Sequence, residues 1–232
     1  MGVSLETDQK LKKEISLKGD RPSYLELKDH YEAKLFLHGD NHRGVDWPNK
    51  LDAETRYRVM MGVLDFIGRE GNSVPTVLDL GCGLSHQYGY FLHRGLNVEY
   101  TGVDISKEFV ERSKAKYPNN HYVVADILRD EKSIPLSDYV LANGLFTEKL
   151  SMTSSEMWHW VGNMLIAMSK KAKIGFACNF MSTNVEWKRD DLFHLSVDQL
   201  IEFVSSRISK EIIVRNDYGL YEYTIYVASS PK

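Results

Sequence analysis

The feature that most constrains this chain is a series of short apolar runs, each ending on a polar residue and each followed by a helical pattern. Thr76–Leu80 reads TVLDL and runs into Gly81-Cys82-Gly83. Residues 98–103 end at Asp104, 121–125 at Asp126, and 139–142 at Asn143-Gly144. The runs have strand length, and residues 86–95, 106–117 and 154–169 between or after them have helical texture. Ser106 is placed to cap the second of these helices, and Pro118 follows its end. A further strand fits 173–179. A helix fits 196–206, with Ser196 and Gln199 at capping-box spacing. Strand–helix alternation predicts a parallel sheet with helices on both faces. Ile212 and Val214, then Tyr223, Ile225 and Val227, alternate by two around the turn cluster Asn216-Asp217-Tyr218-Gly219. They predict a closing hairpin over 210–216 and 221–228.

The first 70 residues have a different texture. Lys10, Lys12, Lys13 and Lys18 lie in a polar stretch over 1–23 that reads as a solvated arm. Tyr24, Leu25, Leu27, Tyr31, Leu35 and Phe36 have helical spacing over 24–37, and a turn-rich segment covers 38–48. Residues 51–70 read as one helix closed by Gly71-Asn72. The expected division is therefore 1–70 as a helical extension or lid and 71–232 as the α/β domain. Acidic residues total 32 against 29 Lys and Arg, a net charge of −3, which argues against a general nucleic-acid binder. Cys82 and Cys178 are too few for a disulfide framework or a structural zinc site. His38 and His42 are four apart, but Gly39 between them argues against a helical ligand pair, so no metal is expected. The N-terminus lacks a signal-peptide pattern, and no apolar stretch is long enough to span a bilayer. The expectation is a cytoplasmic protein with no membrane partner and no oligomeric state legible in its sequence.

In an open parallel sheet, ligands bind at the carboxyl ends of the strands. Gly81 and Gly83 allow a ligand to approach the backbone without a Cβ in the way. Asp104 lies 25 residues beyond Asp79, about where a carboxylate meets a ribose, and a carboxylate can accept from both ribose hydroxyls. Asp126 is placed to accept from an adenine amino group. These groups in order, at successive strand ends, point to a ligand that contains a nucleoside.

VLDLGCG at 77–83, TGVDIS at 101–106, VVADIL at 123–128 and YVLANGLF at 139–146 resemble the class I S-adenosylmethionine-dependent methyltransferases. The likeness spans roughly residues 75–228. It implies a Rossmann-like doubly wound α/β sheet of about seven strands, mostly parallel, with a C-terminal antiparallel hairpin. It implies S-adenosylmethionine as cofactor and S-adenosylhomocysteine as product. By resemblance, Asp79, Gly81 and Gly83, with Cys82 in the same turn, cradle the methionine part. Asp104 holds the ribose hydroxyls and Ile105 packs on adenine. Asp126 and Ile127 flank the adenine, and Asn143 and Gly144 line the floor near the sulfonium. The family usually has another glycine two residues after Gly83, where this chain has Ser85. HGDNHRGVDWP at 38–48, followed by Glu54-Thr55-Arg56-Tyr57, loosely resembles a bacterial small-molecule subgroup. That likeness implies Trp47 and Arg56 folded over the cofactor mouth, with Arg56 pairing the cofactor carboxylate. The other reading of Arg56 is a surface residue of an amphipathic helix.

The acceptor is expected to be a small molecule, methylated on an oxygen of a polar or sugar-type compound. Small-molecule N-methylation and a non-catalytic cofactor-binding module remain as alternatives. A hydroxyl acceptor profits from a general base, and His86 and His194 are the base candidates. Phe146, Trp187 and Tyr218, from an aromatic set that also includes Tyr24, Tyr31, Trp47, Tyr88 and Trp158, are candidate acceptor contacts, and so is Arg189, which would suit an anionic acceptor. The fourth motif lacks the Asn/Asp-Pro-Pro-aromatic sequence typical of amino-methylating enzymes of nucleic acids, so no nucleic-acid partner is expected. A nicotinamide enzyme would need a third glycine at position 86, which is His86.

Overall fold

The computed structural model describes residues 22–68 and 73–229; the Lys-rich arm and the Gly71-Asn72 stop lie outside them. The chain centres on one sheet. Its strands are β1 Thr76–Leu80, β2 Glu99–Asp104, β3 His121–Val124, β4 Ser137–Ala142, β5 Ala172–Ser182, β6 His194–Leu195, β7 Ile212–Arg215 and β8 Glu222–Ala228. Seven lie in the order β3-β2-β1-β4-β5-β8-β7, and the two-residue β6 pairs with the end of β5. β1 to β5 are parallel, and β8 runs antiparallel to both β5 and β7. The expected mostly parallel sheet with a terminal hairpin is therefore present. Its last strand inserts between β5 and β7 rather than adding at the edge.

The helices are α1 Leu25–His38, α2 Lys50–Met61, α3 Val63–Phe66, α4 His86–His93, α5 Lys107–Lys116, α6 Ser154–Lys171 and α7 Val197–Arg207. Alternation along the strands sorts the core. Leu78, Val140, Phe176, Cys178 and Ile225 face α6 and α7, where they meet Val161, Leu165, Leu200 and Val204. Val77, Tyr100, Tyr139, Leu141, Ala177 and Tyr226 face the other way, onto Met60, Val63 and Phe91. With both faces covered, the inner strands carry almost continuous apolar residues.

The caps explain several boundaries. The Ser106 side chain accepts from the Phe109 amide and that of Ser196 from Gln199, as their positions suggested. Thr153 and Glu156 form a reciprocal capping box at the start of α6.

Residues 51–70 do not form one helix. α2 stops at Met61, and α3 is a separate turn of four residues. The cause is a packing demand at Gly62. A Cβ there would lie 2.6 Å from the Tyr226 hydroxyl, which donates to the Val59 carbonyl. β8 thus inserts a phenol into the last turn of α2, and the chain bends around it.

The topology locates the site. From β1 the chain builds outward to β2 and β3, then returns to β4 on the other side of β1. The carboxyl ends of β1 and β4 therefore flank the switch point, where connections diverge and a crevice is left open.

Candidate active site

A cavity of about 1100 Å³, counting its open mouth, occupies that crevice. Gly81 and Cys82 donate their amides to the Val103 carbonyl at 2.8 and 3.1 Å, which folds the turn back across β2. Gly81 has φ 70°, and a Cβ on it would lie 3.0 Å from Leu145 across the cavity. The Gly83 amide donates to Asp104 Oδ2 at 2.9 Å, and the Ser106 amide donates to Oδ1 at 2.8 Å. Burial pushes the Asp104 carboxyl up to about 6, against those two amides, which favour its charge. Each carboxylate oxygen keeps a lone-pair position for a further donor.

Ser85 stands in the left-handed region at φ 54°, the conformation that favours the glycine its position usually carries. Its side chain is fully buried, and its Oγ lies 3.1 Å from the Tyr122 hydroxyl and 3.4 Å from that of Tyr100. Tyr100 donates to Asp79 Oδ2 at 2.7 Å. The serine thus occupies a strained backbone position and fixes a buried polar cluster in exchange. Asp79 is 2% exposed. Desolvation pushes its carboxyl up to about 7; the Tyr100 hydrogen bond opposes the shift and the charge of Asp104 adds to it.

At the end of β3, Asp126 Oδ2 accepts from the Tyr24 hydroxyl at 2.6 Å and Oδ1 accepts from the Leu128 amide at 2.9 Å. Tyr24 stacks on Trp160 with ring centres 5.7 Å apart. At the end of β4, Asn143 donates to Gln87 Oε1 at 2.9 Å while its own Oδ1 is buried without a partner. Gln87 donates in turn to the Tyr57 carbonyl. Gly144 has φ 77°, and a Cβ there would lie 2.8 Å from the Trp47 ring. Trp47 therefore lies directly over Gly144.

The cavity is lined by Asp79, Gly81, Cys82, Gly83, Asp104, Ile105, Asp126, Ile127, Asn143, Gly144, Trp47 and His86 among the residues singled out from the sequence. The others lie elsewhere. Arg56 is held by Glu222, with Nε 2.8 and 3.0 Å from its two carboxylate oxygens, and the guanidinium lies on the outer face of Trp47, 5.0 Å from the ring centre. It does not line the cavity, and it is not a solvated surface residue, since its side chain is 16% exposed. Phe146 is fully buried and stacks on Phe180, so it is core. His194 lies on β6 with Nδ1 2.7 Å from the Ser182 carbonyl, and it meets Trp187 edge-on. Arg189 pairs with Asp191, and the Tyr218 hydroxyl lies 3.0 Å from Thr224 Oγ1. None of these lines the cavity: His194 sits on β6 beside β5, and Tyr218 lies between β7 and β8. His86 lines the cavity but is tied to Asp40, with Nε2 2.8 Å from Oδ1. That bond, with help from Lys116, holds the Asp40 carboxyl down at about 2.

Tyr57, Gln87 and Trp160 line the cavity and had not been singled out as site residues. Trp158 and Trp160 are two apart on α6, so they face different ways. Trp160 reaches the cavity, whereas Trp158 packs on Phe203 of α7. Only the position of Gln87, one residue after His86 in the first turn of α4, carried a sequence signal for its role.

Residues 77–165 match the family of methyltransferase domains. A protein of Mycobacterium tuberculosis (strain ATCC 25618 / H37Rv), named as a candidate methyltransferase, is 29% identical over 154 residues, covering 66% of this chain and 92% of that protein. The matched segment is a methyltransferase domain of the class I S-adenosylmethionine-dependent kind. Its cofactor is S-adenosylmethionine and its product S-adenosylhomocysteine. Solved structures agree in fold. The magnesium protoporphyrin IX methyltransferase of Synechocystis PCC 6803, with the cofactor bound, superposes with TM-score 0.63 at 12% identity, covering 92% of this chain and all of that one. Human N-acetylserotonin methyltransferase gives 0.60 at 13% identity, covering 90% of this chain and 62% of that one. The 1,6-didemethyltoxoflavin-N1-methyltransferase of Burkholderia thailandensis gives 0.55 at 16% identity, covering 88% and 90%. The described residues of this methyltransferase include no helix long and apolar enough to cross a membrane.

Proposed function

We propose that this methyltransferase acts on an oxygen of a small polar molecule, with residues 1–70 as the lid and 71–232 as the cofactor-binding domain. The observation that supports a small acceptor is the roof. Trp47 lies over Gly144, and Tyr24 ties to Asp126, so the N-terminal extension covers the crevice from both strand ends. A roofed cavity lined by aromatic rings suits a compact acceptor better than a polymer. The slightly acidic balance of the chain points the same way.

In this reading Asp104 accepts from the ribose hydroxyls with its remaining lone pairs, and Ile105 and Ile127 sandwich the adenine. Asp126 receives the adenine amino group at the edge that Tyr24 leaves open. Gly81 and Gly83 let the methionine part lie against bare backbone, with Cys82 as an apolar wall. Asp79 supplies negative charge beneath its ammonium group. The unpartnered Oδ1 of Asn143 is placed to accept from the same part of the ligand. When bound, the cofactor supplies an activated methyl group on a positively charged sulfur. The chain supplies alignment and exclusion of water, which convert an encounter into a positioned displacement.

Calorimetric titration with S-adenosylhomocysteine, with NAD as control, tests the cofactor assignments. An acceptor screen read by release of S-adenosylhomocysteine tests the rest. Micromolar binding followed by turnover on hydroxyl compounds is expected. Turnover on amines alone would overturn the oxygen assignment. Binding with no turnover across a broad screen would favour a non-catalytic cofactor module.

A further inference from the structure

Three residues stand in line between the N-terminal extension and the cavity floor. Tyr57 lies on α2, Gln87 in the first turn of α4 and Asn143 just after β4. All three line the cavity. Gln87 is 3% exposed and joins the other two. Its Nε2 donates to the Tyr57 carbonyl at 3.1 Å, and its Oε1 accepts from Asn143 Nδ2 at 2.9 Å.

The polarity of this row is set at one end. A backbone carbonyl can only accept, so Gln87 must turn its NH2 group toward Tyr57. The amide oxygen of Gln87 then points to Asn143. That oxygen can only accept, so Asn143 must offer its own NH2 group. Oδ1 of Asn143 is what remains, buried and accepting from no described residue. Turning Asn143 over would set its oxygen against Gln87 Oε1. Turning Gln87 over would set oxygen against the Tyr57 carbonyl and NH2 against NH2. Burial makes either conflict costly, because no water relieves it. Asn143 therefore presents an acceptor edge to the cavity and not a donor edge.

The sheet places that edge. The register between β1 and β4 aligns Asp79 with Leu141, so Asn143 comes level with Gly81. Gly81 opens the turn against which the methionine part of the cofactor lies in the reading above. The group of that part which donates hydrogen bonds is its ammonium.

We infer that Gln87 is a positioning residue: it passes the fixed polarity of the Tyr57 carbonyl to Asn143 and so makes Asn143 an obligate acceptor for the ammonium group of the cofactor. This rests on the cofactor placement proposed above and deepens it. The relay needs α2 in its docked position. With the Tyr57 carbonyl withdrawn, Gln87 keeps no hydrogen-bond partner among the described residues but Asn143, and the pair is free to turn over together. Docking of α2 over the crevice thus completes the ammonium site.

The test reads hydrogen-bond polarity by calorimetry on the full chain. The probes are S-adenosylhomocysteine and two analogues in which its amino group is replaced by a hydroxyl or by an oxo oxygen. Both replacements are uncharged, but only the hydroxyl donates. The wild type is expected to bind the hydroxyl analogue ~10-fold more tightly than the oxo analogue. Gln87→Met keeps a side chain of similar length that neither donates nor sets a polarity. In that variant, shown to be folded by circular dichroism, the two affinities should come within ~3-fold of each other. Equal binding of the analogues by the wild type, or tighter binding of the oxo analogue, would overturn the relay without any variant. So would a Gln87→Met protein that binds both analogues more weakly by the same factor, which is what a merely structural role produces. Failure of the wild type to bind S-adenosylhomocysteine would instead overturn the cofactor placement on which the relay rests.

Discussion

Arg56 on α2 and Glu222 on β8 meet across 166 residues of chain. The pair is part of a closed circuit. Glu222 Oε2 also accepts from Asn179 of β5 at 2.8 Å, and Asn179 Oδ1 accepts from the Gly144 amide at 2.7 Å. Gly144 lies under Trp47, and Trp47 lies under the Arg56 guanidinium. The N-terminal extension is thereby fixed to the sheet by a charge pair, a backbone amide and a stacked ring. Arg56 contributes by holding Trp47 in place, a positioning role rather than a ligand contact.

That geometry predicts an asymmetric response to substitution. The Glu222 side chain is 3% exposed. Glu222→Gln leaves a buried guanidinium without its counter-charge and should cost about 3–5 kcal/mol of stability. Arg56→Met in the same chain removes the orphaned charge, so the double variant should be more stable than the sum of the single losses predicts. Urea unfolding of the four proteins of this cycle measures the coupling. Additive losses would mean that the pair is not interacting.

Gly144→Ala should be poorly tolerated, for two reasons. The backbone there has φ 77°, and the new methyl would meet the Trp47 ring at 2.8 Å. Overpacking of this kind costs about 1–3 kcal/mol, and the ring must lift from the cavity floor. Trp47→Phe in the same chain frees the space that the indole took and should recover part of the loss. Thermal midpoints and affinity for S-adenosylhomocysteine should move together across the three variants. An undisturbed midpoint in Gly144→Ala would contradict the close packing.

The two buried carboxylates make stability depend on pH. Asp79 is raised to about 7 and Asp104 to about 6, from a usual value of 3.8. The folded chain therefore keeps protons that the unfolded chain has released. The stabilisation from these groups is complete below about pH 4 and is lost as pH rises through 6 and then 7. Ligand-free protein should lose thermal stability between about pH 4 and 7 from this source, and Asp79→Asn should flatten the slope. Tyr100→Phe removes the hydrogen bond that opposes the Asp79 shift, so the loss should continue to higher pH. An ammonium group bound beside Asp79 favours its charged form, so S-adenosylhomocysteine should bind more tightly as pH rises across the same range. Affinity independent of pH would place that group elsewhere.

The sheet was legible because the strand ends repeat. Asp79, Asp104, Asp126 and Asn143 each follow an apolar run, and each lines the cavity. Those positions are set by local sequence and by a parallel topology that leaves few alternatives. The acceptor side was not legible, because it is assembled from distant segments. Arg56 reads either as a partner of the cofactor carboxylate or as a surface helix residue until β8 places Glu222 against it. Phe146 looks like a site aromatic, but the alternation after β4 turns it into the core against Phe180. The break at Gly62 likewise needed Tyr226 from the far end of the chain.

Asp104 offers the sharpest test of the cofactor assignments. Its carboxylate already accepts from the Gly83 and Ser106 amides, so Asp104→Ala removes support from the glycine turn as well as a ligand contact. Each lost amide partner costs about 1–3 kcal/mol if the donor stays buried, and a fall in the thermal midpoint is therefore expected. Loss of two charge-assisted hydrogen bonds to ribose hydroxyls should weaken S-adenosylhomocysteine binding by ~100-fold or more. Asp104→Asn separates the two effects. It preserves the shape and one acceptor oxygen for the turn, so it should fold nearly as well while still binding the ligand ~10-fold more weakly. Calorimetry on both variants, with circular dichroism to establish folding, reads the difference. Wild-type affinity in a folded Asp104→Ala protein would remove Asp104 from the ribose site.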